Sequence, residues 1–169
     1  MAENLEIERK FLVKIPDCSN LNVRRKINIL QTYLQNGDND LQRRVRRIAD
    51  DNSIKYFYTE KIFYSAVIRQ ETEFEISRDE YNRLISEKKA DCVPIEKCRI
   101  CFDYRNQLFE LDIYPFSDKF AVMELELENS EQKIFFPEYV DVVKEVTGIE
   151  EYSNASLANA RKFPDYKEN

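Results

Sequence analysis

Near the start of the chain, charged side chains alternate with apolar ones in the stretch Glu6-Ile7-Glu8-Arg9-Lys10-Phe11. In a β-strand, Glu6, Glu8 and Lys10 would share one face, because successive side chains point to opposite sides. Two carboxylates about 7 Å apart along a strand repel each other unless a positive charge lies between them. The spacing therefore indicates a site for a hard cation, with Lys10 beside it for an anion.

The same alternation recurs along the chain, with charged residues on one parity and apolar residues on the other. For any single strand, a solvated charged face is the ordinary explanation. Here, however, several strands carry charges of a single sign on one face, and like charges so close together are unfavourable unless an ion lies among them. The pattern therefore favours a polar interior in which carboxylates bind a metal and basic side chains bind a polyanion. After β-strand one, the charged parity holds Arg44, Arg46, Thr59, Lys61, Arg69, Glu71, Glu73, Glu75, Lys97, Arg99, Glu110, Asp112, Glu124, Glu126 and Glu128.

The elements that must position these residues are mainly strands. Period-two alternation predicts strands near 4–13, 29–36, 41–49, 54–63, 67–76, 94–104, 107–115 and 120–129. Helical periodicity predicts helices at 20–26, at 77–89 with Ser77 as N-cap, at 137–145 and at 155–162. Short connections favour antiparallel pairing, and closure removes the sheet edges. We therefore expect an α+β, mainly β fold: a closed antiparallel eight-stranded β-barrel, or tunnel, with helices packed on the outside.

Composition limits the classes of partner. The 169 residues suit a single domain spanning 1–169. A net charge of −6 argues against a nucleic-acid partner, which usually requires a basic surface. No apolar run approaches the roughly 20 residues of a membrane span, and the N-terminus lacks a signal-peptide pattern. We expect a cytoplasmic protein with no nucleic-acid or membrane partner, and the sequence leaves a homodimer open.

Missing residue types exclude several chemistries. The chain has no histidine, so imidazole acid–base chemistry and histidine metal sites are excluded. Its two glycines, Gly37 and Gly148, cannot form a glycine-rich phosphate loop. Cys98 and Cys101 form a C-x-x-C pattern, but on a strand their thiols point to opposite faces, which argues against zinc or redox use. Because the chain cannot form a glycine-rich loop, side chains must hold any bound phosphate.

The motifs resemble those of the CYTH, or triphosphate tunnel metalloenzyme, superfamily. Glu6-Ile7-Glu8-Arg9-Lys10 is similar to its E-x-E-x-K signature, and the similarity extends over nearly the whole chain. The resemblance implies an eight-stranded antiparallel tunnel that binds a triphosphate with a divalent metal and usually hydrolyses it. The other similar strands are Arg44-Val45-Arg46, Thr59-Glu60-Lys61, Arg69-Gln70-Glu71-Thr72-Glu73, Lys97-Cys98-Arg99, Leu111-Asp112-Ile113 and Glu124-Leu125-Glu126.

The resemblance also implies a role for each position. The metal, Mg²⁺ or Mn²⁺, would be held by Glu6, Glu8, Glu124 and Glu126. Glu71 and Glu73 would lie near a second metal or its water and, with Lys10, form the catalytic set. Asp112 would be a supporting or phosphate-end carboxylate. The phosphates would be held by Lys10, Arg44, Arg46, Lys61, Arg69, Lys97 and Arg99.

The expected reaction is hydrolysis of a linear triphosphate, with inorganic tripolyphosphate as the first choice. Cyclisation of ATP by a class IV adenylate cyclase, hydrolysis of a thiamine or nucleoside triphosphate, and non-catalytic polyphosphate binding stay open. A charge-faced β protein with an unrelated role is the remaining alternative. A nucleobase would need an aromatic wall, and Tyr114 is the one clear inward aromatic that we identify. Arg43 and Arg47 have the opposite parity and should face outward.

Overall fold

The computed structural model describes residues 4–38 and 41–165, most of which lie in β-strands. Helix α1 follows the fifth strand, and helix α2 lies near the end of the chain. In chain order the elements are β1 (Asn4–Lys14), β2 (Asn22–Tyr33), β3 (Gln42–Ala49), β4 (Ile54–Phe63), β5 (Ile68–Ile76), α1 (Arg78–Ile85), β6 (Ile95–Tyr104), β7 (Gln107–Ile113), β8 (Phe120–Leu127), β9 (Val142–Glu145) and α2 (Asn154–Ala160).

Eight of the strands form a closed ring. The hydrogen-bonded order is β5-β4-β3-β2-β6-β7-β8-β1, and β1 pairs back onto β5. Every neighbouring pair in the ring is antiparallel. The closing contact joins residues 4–7 of β1 to residues 68–71 of β5. The predicted eight-stranded antiparallel tunnel is confirmed.

Strand β9 occupies a segment for which periodicity predicts a helix, at 137–145, and that prediction is wrong. Strand β1 pairs with β5 only through residues 4–7. Without a further strand, the backbone groups on the later part of that edge would have no partner. β9 pairs with residues 11–13 there, and the Lys14 amide donates to the Asp141 carbonyl at 3.0 Å. Backbone hydrogen bonds to a distant strand therefore determine the conformation of this segment.

The predicted helix at 20–26 is also wrong. A short 3-10 turn at Cys18–Asn20 leads directly into β2, which pairs with β6 from Asn22 onward. The register shifts between Val23 and Arg25, which marks a bulge. The basic run in this segment suits a helix locally, but its backbone donors and acceptors are used by β6.

Helix α1 begins as predicted, with Ser77 accepting a hydrogen bond from the Glu80 amide at 3.1 Å. Tyr81 and Leu84 pack against Leu34, Val45 and Tyr58 on the outer face of the ring. The helix ends at Ile85, a few residues before the predicted end at 89.

Arg43 lies on the same outer side, as its parity indicates. Its Nε donates to the Tyr58 hydroxyl at 2.7 Å, and its Nη2 donates to Glu87 at 3.0 Å. Arg43 therefore ties the turn after α1 to the ring.

The apolar parity of the strands forms the main core outside the ring. Alternate residues of β1, β6, β7 and β8 are buried there under the chain segment that contains Ile134, Phe136 and Val140. Since these side chains point outward, the alternate charged side chains point inward. The strand residues of this core include Phe11, Val13, Ile100, Phe102, Phe109, Leu111, Met123 and Leu125.

A second apolar cluster closes one end of the ring. Leu12 and Val122 have the parity of the charged lining residues, yet they pack against Leu157 and Ala158 of α2. We call this end, formed by residues 146–160, the floor of the tunnel. Both helices thus lie outside the ring, α1 on its side and α2 across one end. In the described ranges, neither helix is long and apolar enough to cross a bilayer.

The floor meets the β4–β5 turn at a close approach, which gives a first prediction. Gly148 has φ of +71°, and a Cβ there would lie 2.6 Å from the Cβ of Ala66. Gly148→Ala should lower the free energy of unfolding by about 1–3 kcal/mol, because it adds backbone strain and a steric clash.

Gly37→Ala is the matched control, because Gly37 has no positive φ and an added Cβ would approach Leu41 at 3.3 Å. This variant should change stability by less than about 1 kcal/mol. Urea unfolding measures both variants. Equal effects at the two glycines would contradict the close approach.

Candidate functional site

The ring encloses a cavity of about 900 Å³ that extends from the floor to a mouth at which Arg25 and Leu108 are exposed. Charged side chains from all eight strands of the ring line it. The structure brings together every predicted metal, phosphate and catalytic residue except Asp112. Those lining the cavity are Glu6, Glu8, Lys10, Arg44, Arg46, Lys61, Arg69, Glu71, Glu73, Lys97, Arg99, Glu124 and Glu126.

These acidic and basic side chains form ion pairs with one another. Arg69 contacts both Glu6, at 3.1 Å, and Glu8. Arg44 contacts Glu71 at 3.3 Å, and Lys61 contacts the other oxygen of the same carboxylate. Arg46 contacts Glu73, which also accepts a hydrogen bond from Thr59 at 2.7 Å. In the protein without ligand, these carboxylates, which could bind a metal, are therefore paired with the cations that could bind phosphate.

Asp112 lies behind the lining rather than in it. It is fully buried, and it accepts hydrogen bonds from Nε and Nη2 of Arg99 at 2.7 Å each. The Lys97 ammonium donates to the same carboxylate. Of the two roles that the resemblance implies, this placement corresponds to the supporting one, because Asp112 orients two cations and cannot reach the cavity.

Lys10 and Glu124 form a buried pair between β1 and β8, with Nζ and Oε1 2.8 Å apart. Burial lowers the pKa of Lys10, but the neighbouring Glu124 and Glu8 outweigh it, so the pKa is raised. Burial raises the pKa of Glu124, but Lys10 and Arg99 hold it well below the usual range. In the free protein, Lys10 is therefore a cation paired with Glu124.

Lys61 and Glu71 form a similar pair on β4 and β5. Burial raises the pKa of Glu71, but Lys61 and Arg44 lower it to about 2, so the carboxylate is ionised. Burial and then the charge of Arg44 lower the pKa of Lys61 to about 7. A bound anion would help Lys61 to keep its proton.

The carboxylates of β1 and β8 suit a hard divalent cation. Glu8 lies directly opposite Glu126 in the strand register, and like charges in that relation are destabilising without a shared cation. Carboxylate oxygens are the ligands that Mg²⁺ and Mn²⁺ prefer. Over residues 4–38 and 41–165, no three acidic or cysteine side chains are already grouped as a metal site. A metal there requires Arg69 and Lys10 to leave these carboxylates.

An apolar strip on β2, β3 and β4 is a part of the lining that sequence reasoning missed. Ile27, Ile29 and Ile48 are buried together with Phe57 against them, and all four face the cavity. The predicted helix ends at 26 and the next predicted strand begins at 29, so Ile27 falls in neither, whereas Ile29 and Ile48 lie in predicted strands. A strand that starts at Asn22 places Ile27 on the same face as Ile29, and Ile48 shares the parity of Arg44 and Arg46 in β3.

The aromatic residues of the tunnel also differ from expectation. Tyr33 lines the cavity opposite Arg44, and it continues the same inward parity of β2. Tyr114 has the inward parity, but it lies in the floor against Phe116 and Phe163. Its hydroxyl donates to Asn154 at 3.0 Å. The aromatic side chains that line the cavity are therefore Tyr33, Phe57 and Phe63, together with Tyr152 of the floor.

Comparison with known proteins identifies a family. A model of the CYTH domain matches residues 4–154. No curated protein sequence matches the chain.

Several solved structures resemble the chain along most of its length. The inorganic triphosphatase NE1496 is 28% identical with a TM-score of 0.57, over 91% of this chain and 94% of that one. PH1819 from Pyrococcus horikoshii OT3 is 22% identical with a TM-score of 0.56, over 74% and 80% of the two chains. The putative adenylyl cyclase HpAC1 from Hippeastrum, described as having a dominant triphosphatase activity, is 14% identical with a TM-score of 0.51, over 74% and 81%. The last two likenesses show a shared fold.

The position of Asp112 generates a second prediction. Asp112→Asn removes the buried negative charge that Lys97 and Arg99 share, so the free energy of unfolding should fall by about 3–5 kcal/mol. Glu75→Gln is the matched control, because the Lys55–Glu75 pair spans 3.0 Å with both side chains about half exposed. Loss of such a surface pair costs about 0–1 kcal/mol. Similar losses in urea unfolding of the two variants would contradict the supporting role.

Proposed function

Because the chain belongs to the CYTH domain family, we propose that it hydrolyses a linear triphosphate, with inorganic tripolyphosphate as the preferred substrate. The observation that carries the proposal is the tunnel lining, in which lysines and arginines form ion pairs with carboxylates around a cavity closed at one end. The likeness to a structure named an inorganic triphosphatase supports it.

The basic residues would hold the phosphates. Arg44 and Arg46 each have a buried Nε without a hydrogen-bond partner among the described residues, and each contacts a β5 glutamate through Nη2. Arginine binds phosphate through two parallel N–H donors, whereas lysine acts as a point charge. A phosphate would therefore find free donors on these arginines. The proposed set is Lys10, Arg44, Arg46, Lys61, Arg69, Lys97 and Arg99.

The carboxylates would hold Mg²⁺ or Mn²⁺ through Glu6, Glu8, Glu124 and Glu126. When bound, such a metal would offset the charge of the phosphates and would supply a water of lowered pKa as the nucleophile. Glu71 and Glu73 are proposed to orient that water from β5. Glu71 is ionised in the free protein, so it is an acceptor and not an acid.

The lining cations stabilise the transition state. Charge gathers on the phosphoryl oxygens during transfer, and fixed positive groups in a cavity offset it without reorganising. Lys10 is paired with Glu124 in the free protein, and its ammonium would turn to the phosphoryl oxygens when the metal takes that carboxylate. Asp112 keeps Lys97 and Arg99 oriented toward the same region.

An organic triphosphate is a second candidate substrate, and one observation favours it. Ile27, Ile29, Ile48 and Phe57 form an apolar strip on the cavity wall, in the same lining as the phosphate-binding arginines. An apolar or planar group attached to the triphosphate could pack against that strip. The corresponding activities are thiamine or nucleoside triphosphate hydrolysis and ATP cyclisation.

A phosphate-release screen tests the proposed function. It uses tripolyphosphate, pyrophosphate, ATP and thiamine triphosphate, each with Mg²⁺ and with Mn²⁺. We expect orthophosphate and pyrophosphate in equal amounts from tripolyphosphate. Cyclic AMP and pyrophosphate from ATP would identify a cyclase. Tight tripolyphosphate binding without release would identify a non-catalytic binding module, and either result would overturn the proposal.

The cytoplasmic location and a homodimer remain proposals from the sequence.

Glu126→Gln gives the clearest test of the metal role. Glu126 faces the cavity and, within the described part of the chain, makes no ion pair, unlike Glu124. Its replacement should therefore leave the melting temperature unchanged. Metal-dependent phosphate release should fall by about 100-fold or more, since even outer partners of metal ligands contribute about 10- to 100-fold.

Glu128→Gln is the matched control, two residues further along the same side of the chain and exposed near the mouth. It removes the same charge and should keep nearly full activity. Wild-type turnover in Glu126→Gln, or an equal loss in Glu128→Gln, would contradict the assignment of Glu126.

A further inference from the structure

Gln31 is a buried polar residue, and no interaction among the described residues accounts for the burial of its amide nitrogen. It lies in β2, faces the cavity and is 1% exposed. Its amide nitrogen Nε2 has no hydrogen-bond partner among the described residues. A buried amide without an acceptor is unfavourable, because folding removes its water without replacement. An acceptor supplied by a ligand would resolve this.

The neighbours of Gln31 are donors of the same kind. Gln31 lies directly opposite Arg46 in the β2–β3 register, and Tyr33 lies opposite Arg44. The Nε atoms of Arg44 and Arg46 are likewise buried and unpartnered among the described residues. Three donor nitrogens without partners among the described residues, Nε2 of Gln31 and Nε of each arginine, therefore share one wall of the tunnel. Such a wall is complementary to a ligand rich in acceptor oxygens, as a phosphoryl group is.

The amide contributes something that the arginines do not. A guanidinium attracts any anion over a distance, whereas a neutral N–H binds only an acceptor at short range and in line. Gln31 also sits within a strand that is paired on both sides, by β3 and β6. Its donor is therefore held in a fixed place relative to Arg46.

We propose that Gln31 is a substrate-binding residue whose Nε2 donates a hydrogen bond to a phosphoryl oxygen of the triphosphate held by Arg44 and Arg46. The inference rests on the proposed function. It adds a neutral contact that fixes where along the tunnel a phosphoryl group lies.

Gln107 shows what a structural glutamine looks like in the same protein. It is 6% exposed and lies outside the cavity lining. Its Nε2 donates to the Lys133 carbonyl at 2.9 Å, and its Oε1 accepts from the Phe135 amide at 2.8 Å. Gln107 thus fastens the covering segment to β7, and it makes a matched control for Gln31.

The test compares Gln31→Met with Gln107→Met. Methionine keeps the length of the side chain and removes the amide. For Gln31→Met we expect an unchanged or higher melting temperature, because a buried unpaired group is removed. Tripolyphosphate binding, measured by calorimetry without divalent metal, should weaken about 10- to 100-fold, the effect of one hydrogen bond to a charged group. Gln107→Met should lower the melting temperature and leave binding unchanged.

Gln31→Glu is the second variant, and it decides the matter if Gln31→Met does not fold. The carboxylate has nearly the same shape and would lie beside Arg46, so it should compete with phosphate for the arginine and weaken binding at least as much. If the wild-type protein does not bind tripolyphosphate, the proposed function fails, and this inference fails with it. If the wild type binds and the folded Gln31 variants bind equally well, the inference is wrong while the proposed function stands.

Discussion

The charges inside the tunnel must compensate one another, and much of the structure depends on that requirement. A buried ion without a partner costs several kcal/mol. Arg99 contacts Asp112, Glu110 and Glu124, and Lys10 contacts Glu124. A triphosphate that takes the cations would leave carboxylates unpaired, and a divalent cation would then compensate them. The same ion pairs that stabilise the free protein therefore favour joint binding of metal and triphosphate.

Closure of the ring creates these pairs. β1 carries carboxylates and a lysine, and its two neighbours in the ring are β5 and β8. The contact with β5 places Arg69 against Glu6 and Glu8, while the contact with β8 places Lys10 against Glu124. Because charged residues take the inside, the apolar parity must be covered outside by α1 and the segment before β9. The polar interior and the outer cores are two consequences of one alternating pattern.

The sequence predicted strand parity well because a period of two depends only on the local backbone. It predicted segments poorly where a distant partner decides the conformation, as at 20–26, which pairs with β6, and at 137–145, which pairs with β1. The family resemblance predicted that the metal-binding and phosphate-binding side chains line one tunnel, but it could not show which of them form ion pairs with each other. Asp112 is an example, because only the packing shows that it lies behind Lys97 and Arg99. Gln31 and Tyr33 lie within the predicted strand at 29–36, but only the pairing of β2 with β3 and β6 shows that they face the cavity.

The exchange of ion-pair partners is the central claim, and a crystal structure with a slowly hydrolysed imido analogue of tripolyphosphate and Mn²⁺ tests it most directly. The anomalous signal of manganese locates the metal independently of the phosphates. We predict a manganese peak among Glu6, Glu8, Glu124 and Glu126, with phosphates against Arg44 and Arg46 and with Arg69 released from Glu8. Phosphates outside the tunnel, or a metal elsewhere with the Arg69–Glu8 pair intact, would contradict the account.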